Sequence, residues 1–221
     1  MYKFTFGIIL FFSSFFSSAQ SVNFEGEVHF VTTYTYFPAA LEQYKPYMPV
    51  TMDIYIRNNL VCKEGPTAFA NGYQIHITNL ATNSGYTAMR VADNTVAYRK
   101  MPKDFKSEAN ALPTPTSIEY LNETRTIGGF VCKKALVYLP SQTNPFMVYY
   151  TTKLPAEAYV VFKGLKGFPL YFEGNMNGVT YFTEAKSVHP SKQADAKFLL
   201  PKEYHVLPYE EFKEVLIKEL N

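Results

Sequence analysis

Residues 24–36 read FEGEVHFVTTYTY, and the alternation of residue types in this stretch decides the fold class. Val28 and Phe30 alternate along the chain with the polar residues Glu27 and His29. Successive side chains of a β-strand point to opposite faces of the sheet, so this pattern is typical of a strand that is half buried. The first element of the chain is therefore predicted to be a strand.

The same alternation returns along the rest of the chain, in short runs separated by turn-forming residues. A second strand carries Ile54 and Ile56, and Asn177-Gly178 between two alternating runs is the clearest hairpin signal. Further strands are predicted over residues 60–64, 73–80, 86–91, 95–100, 118–126, 130–139, 146–154, 159–163, 170–175 and 179–188. Many short strands without alternating long helices favour an antiparallel sheet over an α/β fold. We predict one mostly β domain over residues 22–221, an antiparallel curved sheet or half-open barrel of ten or more strands.

Two helices complete the predicted fold. Pro208 suits the first turn of a C-terminal helix, because its missing N–H would have no partner there. The helix carries an apolar stripe made of Tyr209, Phe212, Val215, Leu216 and Leu220. This stripe has to be covered, since one short helix is marginally stable alone in water. Residues 39–47, which lie between prolines, are predicted to form a short N-terminal helix.

The N-terminus has the composition of a secretory signal. Lys3 precedes an apolar run over residues 4–16, and the small residue Ala19 follows. The run is shorter than the roughly twenty residues that span a bilayer, so a cleaved signal peptide of residues 1–19 is favoured over an anchor. The mature chain is then exported, periplasmic or extracellular, and does not span the membrane.

The charge balance argues against two classes of partner. The chain contains 21 Lys and Arg against 19 Asp and Glu, a formal net charge of +2, and cleavage after Ala19 would remove Lys3. Such a balance provides no extended basic surface for nucleic acid or for an anionic membrane. No nucleic-acid partner is predicted.

Three segments of the C-terminal half and a closing motif match a family pattern in order and spacing. The matching residues are Gly129, Phe130, Cys132, Lys134, Ala135, Tyr149, Tyr150, Thr151, Gly164, Leu165, Gly167, Phe198, Pro201 and Tyr204. With this set the chain resembles the GLPGLI family of secreted Bacteroidetes proteins. The resemblance implies the LolA-like fold of outer-membrane lipoprotein carriers, an unclosed β-barrel whose concave apolar face can receive lipid chains. The family has no established activity, so no catalytic residue is carried over.

The sequence contains no recognised catalytic, metal-binding or cofactor motif. Its four histidines lie far apart, and none has the His-Glu-x-x-His spacing of a metal site. The glycines Gly164 and Gly167 lack the Gly-Lys-Ser/Thr ending of a phosphate loop. We therefore predict no catalytic residues, no metal ion and no cofactor, and a protein that is not an enzyme. Cys62 and Cys132 leave two alternatives open, a disulfide or two buried thiols.

The leading hypothesis is a non-enzymatic envelope protein that binds a hydrophobic small molecule or lipid, such as an acyl chain, in the concave apolar face. Strand alternation predicts that this face is lined by Phe30, Tyr34, Ile54, Ile56, Ile75, Ile77, Phe130, Tyr150 and Phe172. The C-terminal helix either packs permanently on the sheet or acts as a lid through Phe212, Val215 and Leu216. The alternative hypothesis is a structural or interaction module that partners an outer-membrane or exported protein and fills its interior with its own side chains.

Overall fold

Twelve β-strands form one sheet in the computed structural model, which describes residues 23–67, 72–140 and 142–220. The strands are β1 (Glu25–Tyr36), β2 (Thr51–Arg57), β3 (Leu60–Pro66), β4 (Tyr73–Asn79), β5 (Ser84–Val91), β6 (Asn94–Lys100), β7 (Ser117–Ile127), β8 (Phe130–Tyr138), β9 (Phe146–Thr151), β10 (Phe168–Met176), β11 (Val179–Pro190) and β12 (His205–Val206). The α-helices of the described residues are α1 (Pro102–Ala111) and α2 (Tyr209–Leu220). The predicted signal peptide, residues 1–19, lies outside the described residues.

The sheet consists of two antiparallel meanders that β1 joins. Strands β2 to β6 follow each other on one side of β1, and β11 to β7 follow each other on the other side. At one edge the short β12 runs parallel to β6, and β7 forms the other edge, so the sheet is not closed. The predicted mostly β fold with ten or more strands is confirmed, and the parallel pair makes the sheet mixed rather than wholly antiparallel.

The helical segments agree with the prediction in part. The C-terminal helix is confirmed as α2. The predicted N-terminal helix is not found as an α-helix: Ala39–Tyr47 forms a 3-10 helix, and Pro46 inside it has no N–H to donate. Helix α1 was not predicted because Phe105 is its only large apolar side chain.

Both faces of the β2–β6 meander are covered by other parts of the chain. We call the face that carries Phe30 and Ile54 the Phe30 face, and the opposite one the Cys62 face. Helices α1 and α2 lie on the Phe30 face, where Phe212 of α2 contacts Tyr98. On the Cys62 face, Phe198 packs against a core that contains Cys62, Ile75, Ile77, Ala88 and Ala97.

The two cysteines are free thiols, and both are buried. Cys62 lies in the core beneath Phe198, whereas Cys132 packs in the core that contains Phe30. Because the two side chains lie in separate cores, the disulfide alternative is ruled out and the buried-thiol alternative is confirmed. Burial raises the pKa of Cys62 to about 12 and that of Cys132 to about 11, so both thiols are protonated near neutral pH.

Candidate ligand-binding site

The strand register places a row of polar side chains on the Phe30 face. Residues directly opposite each other in antiparallel strands share a face of the sheet. Across β2 to β6, one row of opposite residues runs through Ile54, Lys63, His76, Thr87 and Tyr98. Lys100 follows Tyr98 by two positions and therefore points to the same side. The Phe30 face is thus apolar near β1 and carries basic residues toward β6.

Residues 152–167, between β9 and β10, lie across the apolar part of the Phe30 face, and we call them the covering segment. The ring centroid of Tyr159 lies 5.4 Å from that of Phe30 and 5.9 Å from that of Phe172. Phe162 of the same segment is only 4% exposed. The strand predicted over residues 159–163 is wrong, because these residues pack across the sheet face instead of pairing with a strand. The chain itself therefore fills part of the face.

A cavity of about 470 Å³ lies beside the covering segment, and we call it the apolar cavity. Its larger apolar lining residues are Tyr34, Met52, Phe146, Tyr159, Phe162 and Phe172. The Tyr34 hydroxyl donates a hydrogen bond to the carbonyl oxygen of Pro49 at 2.7 Å, and burial raises the pKa of Tyr34 to about 12. The volume and lining lie within the range of pockets that bind small molecules.

A second cavity of about 480 Å³ lies between the sheet and α1, and we call it the basic cavity. Lys63, His76 and Lys100 line it from the strands, and Glu108 lines it from α1. Val160 of the covering segment lines both cavities, so the two spaces adjoin each other.

Two ammonium groups belong to the basic cavity. Lys100 is 4% exposed; it pairs with the Glu108 carboxylate, and its Nζ lies 4.1 Å from the centroid of the Phe105 ring. The Lys63 ammonium makes no hydrogen bond or ion pair with any described residue, and it lies 6.0 Å from the centroid of the Tyr159 ring. Burial, and then the charge of Lys100, lower the pKa of Lys63.

His76 lies beside these lysines and is held neutral. Its Nδ1 is 3.1 Å from Oγ1 of Thr87, and its Nε2 is 3.2 Å from Oε1 of Gln74. With Oε1 of Gln74 as an acceptor, Nε2 donates to it and Nδ1 accepts from the Thr87 hydroxyl. Burial, followed by the charges of Lys63 and Lys100, lowers the pKa of His76 to about 3.

The predicted lining residues do not all share one face. Those on the Phe30 face are Phe30, Tyr34, Ile54, Ile56, Tyr150 and Phe172. Of these, Tyr34 and Phe172 line the apolar cavity. Phe30, Ile54 and Ile56 are fully buried in the core that also contains Leu154 and Ala158 of the covering segment. Tyr150 is buried and has its ring against Tyr120.

Two predicted lining residues were assigned to the wrong face. Ile75 and Ile77 lie opposite Glu64 and Cys62 across the β3–β4 pair, so they belong to the Cys62 face. Phe130 packs against the core that contains Phe30, but it lines neither cavity. Its ring contacts Phe24 at a centroid distance of 6.4 Å.

The three residues predicted to form a lid lie on α2, at the β6 end of the sheet. Phe212 is 4% exposed and its ring centroid lies 4.9 Å from that of Tyr98, while Val215 and Leu216 are partly buried. No described residue of α2 lines the apolar or the basic cavity. Helix α2 therefore packs beside these cavities without covering them.

Sequence reasoning missed Lys63, His76 and Lys100 as neighbours. The sequence contains a signal only for His76, which stands between the apolar residues Ile75 and Ile77 on its strand. Alternation shows which residues of one strand share a face. The register between strands determines that Lys63, His76 and Lys100 are neighbours, and it cannot be derived from alternation.

Across the residues that the structure describes, no group of three or more His, Cys, Asp and Glu side chains could hold a metal ion. Within the same residues, none of the helices has the length and apolarity needed to cross a membrane.

The fold is similar to that of PNGF-II, which has been solved in a P21 and a C2 space group. The two structures match this chain with TM-scores of 0.54 and 0.53 at 16% sequence identity, and the matches cover 89% and 87% of this chain. The chain spans about a third of the length of PNGF-II, since the matches cover 34% and 32% of those chains. At this identity the likeness concerns the fold alone. No family model and no curated protein matches the chain.

Proposed function

We propose that the protein is a non-enzymatic, exported envelope protein that binds a hydrophobic ligand, such as a lipid or an acyl chain, on the Phe30 face. The site is the apolar cavity, and Tyr34 and Phe172 are its predicted contacts. The signal-like N-terminus supports export to the periplasm or the cell exterior, and the resemblance to GLPGLI proteins supports a lipid-carrier-like, half-open barrel.

The main support for this proposal is an open apolar space beside the covering segment, which already buries much of the Phe30 face. Tyr159 and Phe162 of the covering segment pack on the sheet, yet about 470 Å³ between them and β1 and β10 stays open. Pockets that bind small molecules commonly measure roughly 300–1,000 Å³ and have mostly apolar walls. Burial of an aliphatic chain there would contribute about 0.8 kcal/mol for each CH₂ removed from water.

The alternative function is a structural or interaction module for an outer-membrane or exported protein. The observation that favours it is the complete burial of Phe30, Ile54 and Ile56, which leaves part of the face filled by the chain itself. Under this alternative the apolar cavity is a packing gap and takes no ligand.

Tryptophan fluorescence separates the two functions, because the chain contains no natural tryptophan. Val160 is 43% exposed and lines the cavities, so a V160W variant reports on their occupancy. Leu199 is 64% exposed and lines neither cavity, so L199W is the matched control. Decanol is the probe, because it is apolar and uncharged.

We expect decanol to shift the emission of V160W to shorter wavelengths along a saturable curve, and to leave that of L199W unchanged. Native mass spectrometry of the wild-type protein should show one bound decanol. An unchanged V160W spectrum together with an empty protein in the mass spectrum would refute ligand binding and leave the interaction module as the better proposal.

A further inference from the structure

Two lysines and two glutamates line the basic cavity, but only one of these lysines has an ion-pair partner among the described residues. Lys100 is almost fully buried and uses Glu108 as its partner. Lys63, next to it, has no side-chain hydrogen bond or ion pair among the described residues. A buried charge is costly unless an opposite charge or hydrogen bonds compensate it.

The other titratable groups of the cavity do not provide this compensation. His76 is uncharged near neutral pH and its two ring nitrogens already bond to Thr87 and Gln74. Glu157 lines the cavity but is exposed, and it forms no ion pair within the described part of the chain. The carboxylate that acts on Lys63 is that of Glu108, which Lys100 already binds. Lys63 therefore has a positive charge that a further anionic group could compensate.

The basic and apolar cavities are adjacent. Val160 lines both of them. Gln74, which lines the apolar cavity, accepts a hydrogen bond from His76, which lines the basic cavity, at 3.2 Å. A ligand with an anionic end and an apolar end thus finds complementary surroundings for each end within neighbouring spaces.

We propose that the basic cavity binds the anionic head, a carboxylate or a phosphate, of a single-chain amphiphile whose aliphatic chain passes Val160 into the apolar cavity. Lys63 and Lys100 bind the head group, and Glu108 opposes it. This inference rests on the proposed function, because the aliphatic chain occupies the same apolar cavity.

The experiment compares decanoate, decanol and inorganic phosphate by isothermal titration calorimetry at pH 7.5, below the concentration at which decanoate forms micelles. The variants are K63M, which removes one cation, and E108Q, which removes the competing carboxylate on the exposed side of α1. K192M, at an exposed lysine that lines neither cavity, is the control. Thermal melts check folding, and K63M should melt no lower than the wild type because it removes an uncompensated charge.

We expect the wild type to bind decanoate at least 10-fold more tightly than decanol. K63M should weaken decanoate binding about 10- to 100-fold, as expected for the loss of a charge-assisted hydrogen bond. It should leave decanol binding unchanged. E108Q should strengthen decanoate binding several-fold, a change of opposite sign that general loosening of the fold would not produce.

The outcomes that would refute the inference also show whether the proposed function fails with it. Equal binding of decanoate and decanol, unaffected by K63M, would refute the head-group site and leave the hydrophobic-ligand function standing. Phosphate binding that depends on Lys63, without decanoate or decanol binding, would replace the amphiphile by a free anion and would also refute the proposed function. A protein that binds none of the three probes would refute both.

Discussion

His76 should make the fold sensitive to acid. In the folded protein, burial and the charges of Lys63 and Lys100 lower the pKa of His76 from its ordinary value of 6.5 to about 3. An unfolded chain takes up a proton on this side chain near pH 6.5, whereas the folded chain does so only near pH 3. Between these values the unfolded state binds more protons, so stability falls as the pH falls from 6.5 toward 3. At about 1.4 kcal/mol per pH unit, acidification to pH 5 should cost up to about 2 kcal/mol through His76.

Urea unfolding at pH 7.5 and pH 5.0 tests this value with H76Q, since the glutamine amide can still donate to Gln74 in place of Nε2. We expect the wild type to lose about 2 kcal/mol more than H76Q between the two pH values. H189Q changes an exposed histidine and should behave like the wild type. If wild type and H76Q lost the same free energy of unfolding over this interval, His76 could not be a partly buried, neutral group beside two lysines, and the electrostatic description of the basic cavity would be wrong.

Two further matched pairs of variants test the packing. Phe212→Ala should destabilise the protein by about 3 kcal/mol in urea unfolding, because its buried ring holds α2 on Tyr98. Tyr209→Ala, at a side chain that is 52% exposed, should cost about 1 kcal/mol, and equal losses would mean that α2 is not anchored by Phe212. Gly167→Ala should cost about 3 kcal/mol, because at φ +153° a Cβ would lie 2.5 Å from the Tyr150 ring. Gly129→Ala has φ +84° and no atom beyond its chain neighbours within 4 Å of the added Cβ, so it should cost only about 1 kcal/mol. A smaller cost at Gly167 than at Gly129 would contradict the close approach.

Local patterns in the sequence were sufficient to predict most of the strands. Asn177 and Gly178 have φ of 53° and 87°, and they form the tight hairpin turn that their residue types predict. The alternation in residues 24–36 likewise corresponds to β1, whose Val28 and Phe30 are fully buried. In both cases the deciding information lies within a few residues of the element.

The assignment of faces could not be predicted in the same way. Alternation shows that Ile75 and Ile77 share a side of β4, but it does not show which side of the sheet that is. Both faces of β2–β6 are covered, so an apolar residue there can belong to either core. The segment that covers the Cys62 face, around Phe198, is distant in sequence, and so is the register that brings Lys63, His76 and Lys100 together.

The position of β1 in the middle of the sheet has a consequence for how the chain folds. Every other antiparallel pair joins strands that are consecutive in the chain, but the hydroxyls of Thr32 and Thr183 meet across the β1–β11 pair at a separation of 151 residues. Closing a loop of that length costs about 3 kcal/mol more entropy than closing a hairpin of about five residues. The two meanders should therefore form early, and their union through β1 and β11 should limit the folding rate. The apolar cavity takes Tyr34 from β1 and Phe172 from β10, so it comes into existence only at this last step.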